Sequence, residues 1–143
     1  MKFAYRAVLT IAILLAGTNA AFAASPVGQW TITFHSEPDL TVTATQGVCF
    51  KSNRTWYSTT AAWRGGWFKK GDRFRWYGVA PSTATGTFGQ FVANRLITGE
   101  FSEFERENGA TINVGNWSMR YNGSACGSPV TRRAAGLDSS VTK

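Results

Sequence analysis

The side chains that could do chemistry are few. His35 is the only histidine, so any serine or cysteine triad would have to use it as base. It ends the run GQWTITFH on the strand parity opposite Trp30, Ile32 and Phe34, which places it on the solvent side. The acids Glu100, Glu103, Glu105 and Glu107 form a run, and paired carboxylates at defined separations hydrolyse glycosides. Glu103, Glu105 and Glu107 share one parity, however, which is the pattern of a solvated face or of a guarded sheet edge. Two cysteines and one histidine make a poor zinc set, and there is no C-x-x-C. Gly65-Gly66 and Gly86-x-x-Gly89 lack the helix that a phosphate loop must precede. The expectation is a non-enzymatic protein with no catalytic residue, no metal and no cofactor.

Binding chemistry is better represented. WRGGWFKKGDRFRWYG, Trp63 to Gly78, holds three tryptophans, one tyrosine, two phenylalanines and five cations against the single acid Asp72. Lys51 and Arg54 extend the basic block toward the N-terminus. Arginine beside an aromatic ring recognises sugars, bases and acidic groups by stacking and cation–π contact. Read with period two, the block is a hairpin with the turn Lys69-Lys70-Gly71-Asp72. Phe74 and Trp76 share one face; Arg73, Arg75 and Tyr77 share the other. Trp63, Gly65 and Trp67 form one face of the preceding strand, opposed by Arg64 and Phe68. A functional basic face and a solvated hairpin with core-facing aromatics both fit this pattern. The candidate ligand-binding set is Trp56, Tyr57, Trp63, Trp67, Arg73, Arg75, Trp76 and Tyr77.

The elements that must position these residues are strands. After residue 24, short runs rich in Thr, Val, Phe, Trp and Tyr are broken by Gly, Asn, Asp and Pro, as in an all-β domain. GQWTITF alternates, and LTVTATQ repeats the pattern with Leu40, Val42 and Ala44 expected inward. A turn is expected at Ser52-Asn53, and the long stretch from Ala84 to Glu105 folds back near Asn94-Arg95. TINVGNWSMRY alternates in two registers, so a bulge at Gly115 is expected to bring both to one side. Seven to eight strands joined by hairpin-length connections predict an antiparallel meander that closes into a small up-and-down barrel.

The chain ends set the compartment. Lys2 and Arg6, an apolar run from Ala7 to Gly17 and the exit Ala21-Phe22-Ala23 have the order of a secretory signal peptide, with cleavage expected after Ala23. The domain is expected over 24–126, followed by a polar, flexible tail over 127–143. Cys49 and Cys126 then read as one disulfide in an oxidising compartment, periplasmic or secreted. The whole chain carries a net charge of +7; loss of Lys2 and Arg6 leaves thirteen cations against eight acids, a net +5. That charge favours anionic neighbours. For an exported protein, envelope or extracellular polyanions outrank nucleic acid.

Gly28-x-Trp30 at the head of the first strand resembles the G-x-W start of lipocalin-type and avidin-type (calycin-like) barrels. It is also similar to the G-Q-W that opens small periplasmic barrels inhibiting proteases. The resemblance implies a barrel whose Trp30 plugs the closed end; it carries over architecture and no binding residue. The expected function is recognition of a small molecule, a glycan or an anionic envelope ligand at the barrel mouth or basic hairpin. The alternative is an inhibitor or immunity protein whose partner is an exported hydrolase.

Overall fold

Strands separated by two to five turn-forming residues can only pair with their sequence neighbours in antiparallel fashion. The computed structural model, which describes residues 25–130, contains eight of them. They are β1 (Gly28–Ser36), β2 (Thr41–Phe50), β3 (Thr55–Ser58), β4 (Arg64–Lys70), β5 (Arg73–Val79), β6 (Thr83–Ala93), β7 (Leu96–Glu105) and β8 (Thr111–Gly123). Each pairs with the next, and β1 pairs with β8, so the meander is a closed barrel with no free edge. The expected signal peptide, residues 131–143 of the expected tail and the side chains of residues 42 and 43 lie outside the described residues.

The expected turns at Ser52-Asn53 and Asn94-Arg95 are present as the β2–β3 and β6–β7 connections. The basic hairpin closes through Gly71-Asp72, with Gly71 at φ 62°, the backbone that a two-residue loop between twisted strands demands. These connections, together with the start of β1, sit at one end of the barrel. The other end carries the β1–β2, β3–β4, β5–β6 and β7–β8 loops.

The first end is sealed by rings. Trp30 is fully buried, packs edge-on against Tyr121 (5.1 Å) and Phe91 (6.3 Å), and donates its indole N–H to the Pro26 carbonyl at 2.7 Å. Phe50, Phe74 and Trp67 fill the adjacent sector, with ring centroids 5.2–6.5 Å apart. Lys69 and Arg95 lie over Phe91 and Tyr121 from the solvent side. The core then continues through Ile32, Val48, Ile97, Met119 and Trp117 toward the second end.

Two tryptophans pack against glycines. The indole of Trp117 covers the cross-strand pair Gly89–Gly99 and donates to the Glu100 carbonyl at 2.9 Å. Trp56 covers Gly78 and donates to the Tyr77 carbonyl at 2.7 Å. A methyl group at Gly99 would run into the Phe88 carbonyl and stand 2.7 Å from Trp117 Cζ2. We therefore expect Gly99→Ala to cost about 1–3 kcal/mol through overpacking, read from the midpoint of urea denaturation.

Two local expectations are corrected. β8 keeps one register past Gly115, so Asn113, Gly115, Trp117, Met119 and Tyr121 face inward together. The irregularity falls between Glu103 and Phe104 of β7, where the β8 partner jumps from Asn113 to Thr111, and Ile112 is left half exposed. Gly115 is instead a contact glycine, since a side chain there would meet the His35 carbonyl. Leu40 does not start the inward series of β2. It sits in the β1–β2 turn at φ 55° with 43% exposure.

Candidate functional site

The second end of the barrel is open. Because inward positions alternate along every strand, each strand but β4 brings one or two side chains there, and Trp63 enters from the β3–β4 connection. They enclose a cavity of about 90 Å³ with walls from Phe34, Trp56, Trp63, Trp76 and Phe101 and polar groups from Gln46, Thr85, Glu103 and Asn113. This composition, aromatic walls with a few convergent polar groups, is that of a small-molecule site.

Trp76 is fixed at the base of this cavity. Its ring meets Trp56 edge-on at 4.7 Å and is bounded by Phe34, Phe50 and Trp117 at 6.0–6.3 Å. Its backbone is clamped by Thr87, whose Oγ1 accepts from the Trp76 N–H (3.2 Å) and donates to the Trp76 carbonyl (2.8 Å). Four of the six tryptophans, Trp30, Trp56, Trp67 and Trp117, donate their indole N–H to a backbone carbonyl. Trp76 does not: its Nε1 is buried with no hydrogen-bond partner among the described residues. A buried donor without an acceptor costs about 1–3 kcal/mol, so natural cores seldom keep one. The other tryptophan that makes no such bond, Trp63, faces the same cavity.

The sequence pattern puts Glu103 on a solvated face. The structure places it half-buried at the cavity, two residues beyond the inward Phe101 on the same strand. Parity with Phe101 was the available signal; what hid it is that an inward residue at an open barrel end still meets water. Among the described residues, no lysine or arginine lines the cavity.

A second depression of about 510 Å³ lies beside the first and shares Trp63 as its wall. Tyr57, Arg64, Val79, Pro81, Arg106 and Val130 are among its lining residues. Arg106 is held there by hydrogen bonds from Nη1 to the Ala80 and Pro81 carbonyls (3.1 and 3.2 Å). The segment after β8 forms its far side. It is tied down by the Cys49–Cys126 disulfide, by Gly127 N–H to Gln29 Oε1 (3.1 Å) and by Tyr57 O–H to the Gly127 carbonyl (2.9 Å).

The candidate residues named from the sequence thus fall into separate places. Trp56, Trp63 and Trp76 line the cavity, and Tyr57 lines the neighbouring depression. Trp67 points inward but toward the sealed end, where it donates to the Lys51 carbonyl at 3.0 Å. Arg73, Arg75 and Tyr77 are exposed on the barrel exterior, and the Gly71-Asp72 tip is at the sealed end, away from the mouth. The cavity residues absent from the sequence-derived set are the polar Gln46, Thr85, Glu103 and Asn113 and the apolar Phe34, Ala44 and Phe101. His35 lies on the exterior, with Nδ1 3.1 Å from the Leu40 carbonyl oxygen. Among the described residues no three His, Cys, Asp or Glu side chains come together as a metal would need, and no helix is long and apolar enough to cross a membrane. Comparison of the chain with protein-family models, curated proteins and solved structures finds no match.

Proposed function

We propose that this chain is an exported, non-enzymatic binding protein of calycin-like architecture that takes the head of a small molecule into the mouth of its barrel. The observation that carries this reading is the buried indole N–H of Trp76, which has no partner among the described residues and belongs to a ring bounding a cavity with aromatic walls. It calls for a hydrogen-bond acceptor on the ligand. Glu103 calls for a donor, and the amides of Gln46 and Asn113 can serve either. A flat, uncharged head with both functions, such as an amide, urea or N-heterocycle, matches that set. A carboxylate or phosphate head does not, because Glu103 would repel it and no cation compensates.

A volume of about 90 Å³ is well below the roughly 300–1,000 Å³ of a drug-sized pocket, so the cavity suits a head group or fragment. The rest of a longer ligand would pass Trp63 into the adjoining depression, where Arg64 and Arg106 suit an anionic end. Export fits the disulfide, which persists in oxidising compartments.

Titrating a panel of small amides, ureas and N-heterocycles against tryptophan fluorescence tests the proposal. A binder should perturb the emission, and Trp76→Phe, which leaves a smaller aromatic ring and removes the donor, should weaken it by about tenfold or more through the lost hydrogen bond and lost ring contact. Trp67→Phe, at the sealed end, should leave affinity unchanged. No response across the panel, or equal loss in both variants, overturns the reading.

A further inference from the structure

The strands that wall the cavity carry a different chemistry on their outer side. There, residues opposite one another across β4, β5, β6 and β7 form two adjacent rows: Phe68, Arg75, Phe88, Glu100, and Gly66, Tyr77, Gly86, Ser102. Phe68, Tyr77 and Phe88 are 49%, 64% and 50% exposed. Single exposed hydrophobes are ordinary on a protein surface, but three as near neighbours form a patch that asks for an occupant.

The patch is a trough with a backbone floor. The Tyr77 ring folds over Gly66, where a side chain would collide with it, while nothing lies within 4 Å of the place a Gly86 side chain would take. Tyr77, Gly86, Phe88, Arg75 and Glu100 bound an open space of about 850 Å³. The Arg75 guanidinium carbon sits over the Phe88 ring, 3.9 Å from its centroid, and that of Arg54 approaches Phe68 at 5.9 Å. Stacking uses the faces of these groups and leaves their N–H edges free to donate. Arg75 and Glu100 are the charged side chains that line the trough, and Lys70 and Arg73 form the next outward cross-strand pair beyond Phe68 and Arg75.

We propose that this outer face is a second binding surface, independent of the mouth, and that its occupant is an acidic polysaccharide. Pyranose rings present flat C–H faces that stack on exposed aromatics. Their hydroxyls can donate to Glu100 and Ser102, and a uronate or sulfate group pairs with Arg75. The patch runs across four adjacent strands, which suits a polymer. A protein partner is a poorer match, because the centre of a protein–protein contact is depleted of charge, whereas Arg75 stands at the centre of this one.

Calorimetric titration with a hyaluronan hexasaccharide and with neutral maltohexaose tests the proposal. The acidic oligomer should bind about tenfold tighter, with affinity falling as salt rises. Arg75→Gln and Phe88→Ala should each weaken it by about tenfold, consistent with one charged hydrogen bond or one stacking contact, with melting temperatures close to the parent because both side chains are exposed. Trp76→Phe, which tests the mouth, should leave this binding intact, so the two readings fail separately. Equal affinity for the two oligomers overturns the proposal, as does indifference to both face variants. So does tighter binding of oligo-dT, or a dimer in sedimentation that Phe88→Ala dissociates, since each names a different occupant for the face.

Discussion

Cys126→Ser is expected to lower the free energy of unfolding by about 4 kcal/mol, the chain-entropy value for a loop of this size. The bond joins residues 77 apart in sequence whose Cα atoms are 5.6 Å apart in the fold, so it removes much of the freedom of the unfolded chain. In a domain this small the loss should appear as a fall of roughly 15 °C in melting temperature, which calorimetry reads directly. A second signature separates this loss from general weakening. With the staple cut, the segment after β8 keeps its hydrogen bonds to Gln29, Tyr57 and Ser58, and Gly127 should exchange its amide proton well before the barrel does. If exchange at Gly127 stays tied to global unfolding, the segment is held by something other than the disulfide.

Trp30→Ala should cost about 3–5 kcal/mol, the range for emptying a large buried aromatic site. The indole is wholly buried, meets two other rings edge-on and satisfies its own N–H on the Pro26 carbonyl. Its removal leaves a void at the sealed end and an orphaned acceptor beside it. Urea denaturation should show a large fall in midpoint, and Trp30→Phe should recover part of it by refilling volume without restoring the hydrogen bond. A cost below 1 kcal/mol for Trp30→Ala would mean that the sealed end collapses around the gap and that the ring is no plug.

Much of this fold was legible because strand parity is a two-way choice and hydrophobic patterning makes it. Phe74 and Trp76 inward with Arg73, Arg75 and Tyr77 outward follow from one alternating run, and the structure has them so. The meander followed from connections too short for any crossover. What parity does not encode is height along the barrel. Trp67 and Trp76 both point inward, yet one serves the sealed end and the other the cavity, since that depends on the stagger of strands around the closed sheet. The same blindness made the hairpin tip and the mouth look like one place. Glu103 was misjudged for a related reason: charge suggests outside, but at an open end the interior is wet. Ile112 escaped because a bulge on β8 is set by the pairing with β7, which no local window contains.

The stapled segment also fixes where the chain's described ends emerge. Ser25–Val27 precede β1 at the sealed end, whereas Pro129 and Val130 lie at the rim beside the cavity. A handle placed ahead of residue 25 would therefore anchor the barrel to a bead or sensor chip with its opening toward the solution. The same handle attached just past residue 130 would start at the rim and crowd whatever enters. Binding measured in the two orientations should differ for a ligand of the mouth and agree for one that docks on the outer wall, which turns the position of a tag into a way of telling the two sites apart.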